Sequence, residues 1–178
     1  MQIRKLPNTN LEVSVVCLGT MLFGTPVDER GAKAIVNEAY HGGVNFFDTA
    51  NMYEGYTRFI GSAGKLSEEY LGKAISGHRK KSVIATKVGM AIGPNTTDRG
   101  LSRGHIKPEC DRSLTRLRTD YIDIYYLHTY DFATPIEETI ETMMDLIAAG
   151  KVRFWGISNF DCEQTMEVLA ACDCHRWT

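Results

Sequence analysis

Five short apolar runs recur along the chain, each followed by a polar turn and an amphipathic stretch. They are Val15-Val16-Cys17-Leu18, Val44-Asn45-Phe46-Phe47, Ser82-Val83-Ile84-Ala85-Thr86, Tyr121-Ile122-Asp123-Ile124-Tyr125-Tyr126-Leu127 and Val152-Arg153-Phe154-Trp155-Gly156-Ile157. They are nearly continuous in apolar character rather than alternating, as strands of a parallel sheet covered on both faces are. The stretches between them carry helix signals. Asp28 caps a helix whose apolar face is Ala32, Ile35, Val36 and Ala39, ended by Gly42-Gly43. Ser67 stands before Glu68 and Glu69, acids suited to a first turn. A further helix lies near Ile106 to Leu117. Thr134-Pro135 supplies a cap and a first-turn proline before Ile136, Ile140, Met143, Met144 and Ile147, and Gly150 stops that helix. Asp161 and Gln164 have capping-box spacing. Ahead of the first run, Leu6-Pro7-Asn8-Thr9-Asn10-Leu11 reads as the turn of a hairpin outside the main sheet.

Five consecutive strand–helix units fit either a doubly wound sheet or a (β/α)8 barrel. No G-x-G-x-x-G follows the first strand, so the dinucleotide-binding doubly wound fold lacks its fingerprint. Gly64-Lys65 is followed by Leu66, which excludes a phosphate-binding P-loop.

In barrels the reacting groups lie at the C-terminal ends of strands. Here the five runs end in Gly19-Thr20-Met21, Asp48-Thr49, Lys87, His128 and Ser158-Asn159. Each has a structural alternative: Asp48 a turn cap, Lys87 a solvated strand end, His128 a satisfied core histidine. Their convergence on one rim favours chemistry. Tyr53 lies five residues after Asp48, in a loop. A tyrosine with a pKa of about 10 is a poor acid at neutral pH. A nearby ammonium favours the phenolate. Lys87 can supply that charge, Asp48 can hold Lys87 by an ion pair, and neutral His128 can orient a substrate carbonyl. The set contains neither a nucleophile nor a metal site, so it needs a hydride donor from outside, a nicotinamide cofactor. A Schiff-base role for Lys87 is the chemical alternative, and it leaves Tyr53 without a part.

At these residues the sequence resembles the aldo-keto reductase family. Gly43-Val44-Asn45-Phe46-Phe47-Asp48-Thr49-Ala50-Asn51-Met52-Tyr53 is similar to the family's G-x-x-x-x-D-T-A-x-x-Y segment, and Ser67-Glu68-Glu69-Tyr70-Leu71-Gly72-Lys73-Ala74 to its S-E-x-x-L-G-x-A helix start. Val83 to Lys87 resembles the lysine strand, Ser113 to His128 the S-L-x-R-L-x-x-D-Y-x-D-x-Y-x-x-H run, and Gly150 to Phe160 the G-K-x-R-x-x-G-x-S-N-F segment. The resemblance implies a (β/α)8 barrel, NADP(H), and reduction of aldehyde or ketone carbonyls. It implies Tyr53 as proton donor, Lys87 and Asp48 as its tuners and His128 as carbonyl orienter. It places Thr20, Met21, Asp48, Ser158 and Asn159 near the nicotinamide. The stretch from Glu54 to Leu66, with Gly55-Tyr56-Thr57-Arg58, looks like the branch containing bacterial and fungal reductases and potassium-channel β-subunits. A non-catalytic or NADP-sensing module of that kind is the alternative reading, and His128 favours the enzyme.

A full barrel takes about 250 residues, and this sequence has 178. The expectation is therefore an α/β fold, a TIM (β/α)8-type barrel truncated after about five βα units and preceded by a β-hairpin. Residues 1–178 would form one NADP-dependent oxidoreductase domain incomplete at its C-terminus. Open edges at the first and fifth strands would invite self-association. The groups that grip the cofactor's phosphates would be missing, so weak cofactor binding and low or no activity are expected of the fragment. Cys172-x-Cys174-His175 reads as a helix end rather than a metal site.

Composition changes little. A net charge of −2 with no Lys/Arg-dominated stretch argues against a nucleic-acid partner. No apolar stretch approaches the ~20 residues of a membrane span, and no apolar run backs the N-terminal charges as in a secretory signal. The five scattered cysteines read as reduced, and the protein as cytoplasmic, acting on a small-molecule carbonyl substrate.

Overall fold

The structure is a computed structural model describing residues 1–55 and 63–175. Most of the distinctive stretch from Glu54 to Leu66, including Tyr56, Thr57 and Arg58, lies outside the described residues.

Two short strands, β1 (Ile3–Lys5) and β2 (Glu12–Ser14), form the antiparallel hairpin. The chain then alternates β3 (Cys17–Gly19), α1 (Glu29–His41), β4 (Phe46–Asp48), α2 (Leu66–Ile75), β5 (Val83–Val88), α3 (Arg103–Leu117), β6 (Ile122–Leu127), α4 (Ile136–Ala148), β7 (Val152–Ile157) and α5 (Cys162–His175). The five later strands pair in parallel in the order of the sequence. A doubly wound sheet reverses its strand order at a switch point. This one does not, so it is a segment of a TIM-type barrel wall. Among the described residues β3 and β7 are its two edges.

Side chains alternate across this wall. Phe46, Ala85, Ile124, Tyr126 and Phe154 share the inner cluster, and Leu11 and Val13 of the hairpin close it from below. Phe47, Ile84, Tyr125 and Leu127 point the other way, into the larger cluster under the helices with Val36, Leu71, Ile106 and Met143. Each such fully buried aliphatic side chain stabilises the fold by roughly 1.5–3 kcal/mol.

The helix signals are mostly realised. Asp28 accepts from the Gly31 N–H at 2.8 Å. Asp161 and Gln164 cap each other's backbone at 2.8 and 3.0 Å. Four details differ. Ile35 is exposed, because the buried stripe of α1 runs through Ala32 and Val36 and is continued by Ala39 and Tyr40. Glu68 and Glu69 do lie in the first turn of α2, but Ser67 lies inside it, since the helix begins one residue earlier after Lys65 at φ 86°. Thr134 does not cap α4: its hydroxyl donates to Asp131 and Pro135 takes the cap position. Helix α3 starts at Arg103, three residues before Ile106, because Glu138 of α4 accepts the Arg103 N–H at 2.9 Å and serves as its cap.

The strand edges are only partly covered. Val15, Val16 and Met21 are exposed around β3. Beside β7, Trp155, Ile157, Val168, Leu169 and Cys172 line an apolar groove. No described helix is long and apolar enough to cross a membrane.

Candidate active site

Three strands deliver three side chains to one rim. β4 ends on Asp48, Lys87 is the penultimate residue of β5, and His128 follows β6, its N–H bonded to the Val88 carbonyl at 2.8 Å. Lys87 shares its face with Ala85 and Asp48 with Phe46, so both point to the barrel interior.

Tyr53 arrives by a loop that extends the β4–β5 ladder past the strand end. The Thr49 N–H bonds to Ala85 and the Asn51 N–H to Lys87, at 2.9 and 3.3 Å. A turn then closes from the Tyr53 N–H to the Ala50 carbonyl at 3.1 Å. The loop packs against Gly64, which has φ +66° and whose added Cβ would stand 2.4 Å from the Asn51 carbonyl oxygen. Glycine is needed there on both counts.

The Lys87 ammonium is the centre of the set. It donates to Asp48 Oδ1 at 2.5 Å, to the Thr49 carbonyl at 2.8 Å and to the Tyr53 hydroxyl at 3.3 Å. Its side chain is only 8% exposed, and that of Asp48 is 28%. A buried ammonium is tolerable because all three of its protons have acceptors. The Tyr53 ring meets the His128 ring edge-on, centroids 5.8 Å apart at 77°. All four expected residues are therefore brought together.

Two other titratable side chains lie close by. Cys17 is exposed on the edge strand, and partial desolvation by the neighbouring protein raises its thiol to about 11; Asp48 adds to this and Lys87 opposes it. Burial, with Asp48 and Cys17, likewise raises the Tyr126 phenol. Both stay neutral near pH 7.

The residues expected around a nicotinamide divide. Met21 is 56% exposed. Asn159 is exposed, in a left-handed conformation at φ 57°, and its amide donates to the His128 carbonyl at 2.8 Å and to the Ser158 hydroxyl at 3.1 Å. Thr20 is fully buried, its hydroxyl bonded to the Asp48 carbonyl at 3.0 Å and to Ser67 Oγ at 2.7 Å. It braces the end of β4 from behind.

Beneath the rim lies a polar layer that sequence reading missed. Ser67 joins Thr20 and Thr49, linking α2 to two strand ends. Glu68, fully buried, accepts from Thr86 and from Arg116, both at 2.5 Å. Arg116 also lies 3.6 Å from Glu109, which accepts from Asn51 at 3.2 Å. Burial pushes the Glu109 carboxyl up, but hydrogen bonds from Arg112 and Asn51 and the nearby guanidinium charges outweigh it and hold the group below its ordinary range. The serine–glutamate and serine–leucine–x–arginine stretches quoted above thus meet behind the sheet. Acid residues in a first helical turn usually face water, so nothing local marked Glu68 as interior.

The Aldo/keto reductase family matches residues 15–177 of this chain. Among curated relatives, an uncharacterized oxidoreductase of Bacillus subtilis (strain 168) is 43% identical over 90% of this chain and 50% of its own. A protein of Arabidopsis thaliana named as a probable voltage-gated potassium channel subunit beta is 38% identical over 97% of this chain and 51% of its own. A solved aldo-keto reductase of Bacillus halodurans, in its holo form, superposes with a TM-score of 0.83 at 35% identity, covering 96% of this chain and 54% of that one. The chain spans about half the length of the relatives it matches.

Proposed function

Because the chain belongs to the aldo/keto reductase family, we propose that it carries the reducing site of an NADPH-dependent carbonyl reductase, with Tyr53 as the proton donor. The observation that carries this is the Lys87 ammonium, bonded at once to Asp48 and to the Tyr53 hydroxyl.

The residues at the rim fit a nicotinamide. Its carboxamide needs one acceptor and one donor. Among the described residues Asn159 Oδ1 accepts no hydrogen bond, and the Ser158 hydroxyl, which receives from Asn159, keeps its own proton to give. Met21, after the opposite edge strand β3, offers an exposed apolar side chain. A bound reduced nicotinamide supplies the hydride. The preference for NADPH rests on the family resemblance.

The chain's own residues manage the proton. Tyr53 gives its phenolic proton to the carbonyl oxygen as negative charge develops there, and the electron pair of the broken O–H bond stays on the phenolate. The Lys87 ammonium stabilises that phenolate, and Asp48 and the Thr49 carbonyl keep the ammonium in place. His128 hydrogen-bonds the same substrate oxygen and fixes its approach to Tyr53. Thr20 acts at one remove, holding Asp48. After His128, Tyr130 packs edge-on against Phe132 and Phe160 at 4.9 and 5.4 Å, and Phe132 is 87% exposed. This wall suits carbonyl substrates with an apolar or aromatic flank.

NADPH fluorescence titration combined with an aldehyde-reduction assay tests the reading. Saturable but weak binding with slow turnover is expected of a chain that spans about half the length of its relatives. Absence of binding up to millimolar NADPH would overturn it and favour a broken or interaction-only module.

A further inference from the structure

Behind the site, buried polar contacts form a closed ring that begins and ends on the reacting pair. From Lys87 it passes to its neighbour Thr86, then to Glu68 at 2.5 Å and Arg116 at 2.5 Å. It continues to Glu109 at 3.6 Å and Asn51 at 3.2 Å, two residues from Tyr53, whose hydroxyl returns to Lys87 at 3.3 Å. From these contacts we infer that Glu109, acting through Asn51, is a positioning residue that sets the separation of the Tyr53 hydroxyl from the Lys87 ammonium. The inference rests on the functional reading above.

Asn51 is held by few contacts. It is fully buried and its Oδ1 has no partner among the described residues, so the amide bond to Glu109 is the one polar contact orienting its side chain. Its backbone bonds to the Lys87 carbonyl on one side and to the Lys65 N–H on the other. A shift of Asn51 therefore moves the Tyr53 loop and the Lys87 strand relative to each other. Glu109 is itself fixed from two sides, by Arg116 and by Arg112 at 2.5 Å. Two buried carboxylates around a largely buried guanidinium are costly to desolvate, and well-packed apolar residues often stabilise such a site equally well. What apolar residues would not provide is a directional anchor for Asn51. A displacement of about 1 Å in a reacting group can cost about a hundredfold in rate.

The test follows the 15N-labelled lysine ammonium signal of Lys87, whose three hydrogen bonds slow its exchange with water, alongside thermal melting and kinetics. Glu109→Gln keeps an acceptor for Asn51 but loses the charge. It should melt earlier while the Lys87 signal and kcat stay near those of the unaltered chain. Glu109→Ala should speed ammonium exchange at least tenfold and lower kcat with little change in KM. Asn51→Leu, of similar volume, should reproduce that result and serves as the measure if Glu109→Ala does not fold. An unchanged Lys87 signal in a folded Asn51→Leu or Glu109→Ala protein overturns the inference, however far its melting point falls. The ammonium signal needs neither cofactor nor turnover. A signal that responds in a chain unable to reduce carbonyls upholds the positioning and fails the reductase reading alone.

Discussion

The two ends of the parallel strands each hold a carboxylate against a cation, and they use the pair differently. At the N-terminal end Asp123 is 1% exposed and receives Arg79 at 2.9 Å, Arg153 at 2.6 Å and the Ile84 N–H at 3.0 Å. Arg79 is spent as well, bonded to Thr119 and to the Ser82 and Tyr121 carbonyls and stacked 4.0 Å over the Tyr121 ring. Every strong group there is consumed by the fold. At the C-terminal end Asp48 is 28% exposed and the Lys87 ammonium ends on a half-buried phenol, leaving Tyr53 beside an open rim. Charge at the lower end locks the strands, and charge at the upper end is held ready. A barrel separates stability and chemistry in this way, end from end.

Substitution at the two ends breaks the comparison most sharply. Asp123→Ala leaves two guanidinium groups without their shared acceptor and should destabilise by about 3–5 kcal/mol, the usual cost of breaking a buried pair. Lys87→Met should abolish carbonyl reduction at a much smaller cost in stability, since Asp48 can reach water. Chemical denaturation of both variants measures this, and equal losses of stability would erase the distinction.

A smaller effect sharpens it through the polar layer between the ends. The folded Glu109 carboxyl titrates below its ordinary value of 4.5. Its contribution to stability is therefore fully present above that value and is lost as pH falls through the lower, folded one. Melting temperatures followed down from neutral pH should fall in that acid window, and the fall should be shallower in Glu109→Gln. Identical profiles would remove Glu109 from the account.

The upper rim was legible in the sequence because strand ends announce themselves. An apolar run stops, and the residue that stops it is a carboxylate, an amine or an imidazole. Asp48, Lys87 and His128 stand out in that way, and Tyr53 by its distance from Asp48 and its chemistry. The caps at Asp28 and Asp161 were legible because each is a local bond between near neighbours. What stayed hidden depends on partners far along the chain. Glu138 caps α3 from another helix, Arg116 draws Glu68 inside from 48 residues away, and Ser67 turns inward to meet Thr20 and Thr49. Thr20 ends its run as the others do, yet its hydroxyl is taken by the Asp48 carbonyl. Strand-end position alone does not separate a residue that faces the rim from one that supports it.

The most direct test compares carbonyl-dependent NADPH oxidation by the unaltered chain and by Tyr53→Phe, at millimolar NADPH with an aromatic aldehyde. The proposed site predicts a rate that depends on Tyr53 and falls by about 10²–10⁴-fold when its hydroxyl is removed, the span of a general acid's contribution. Equal finite rates in the two proteins would contradict it.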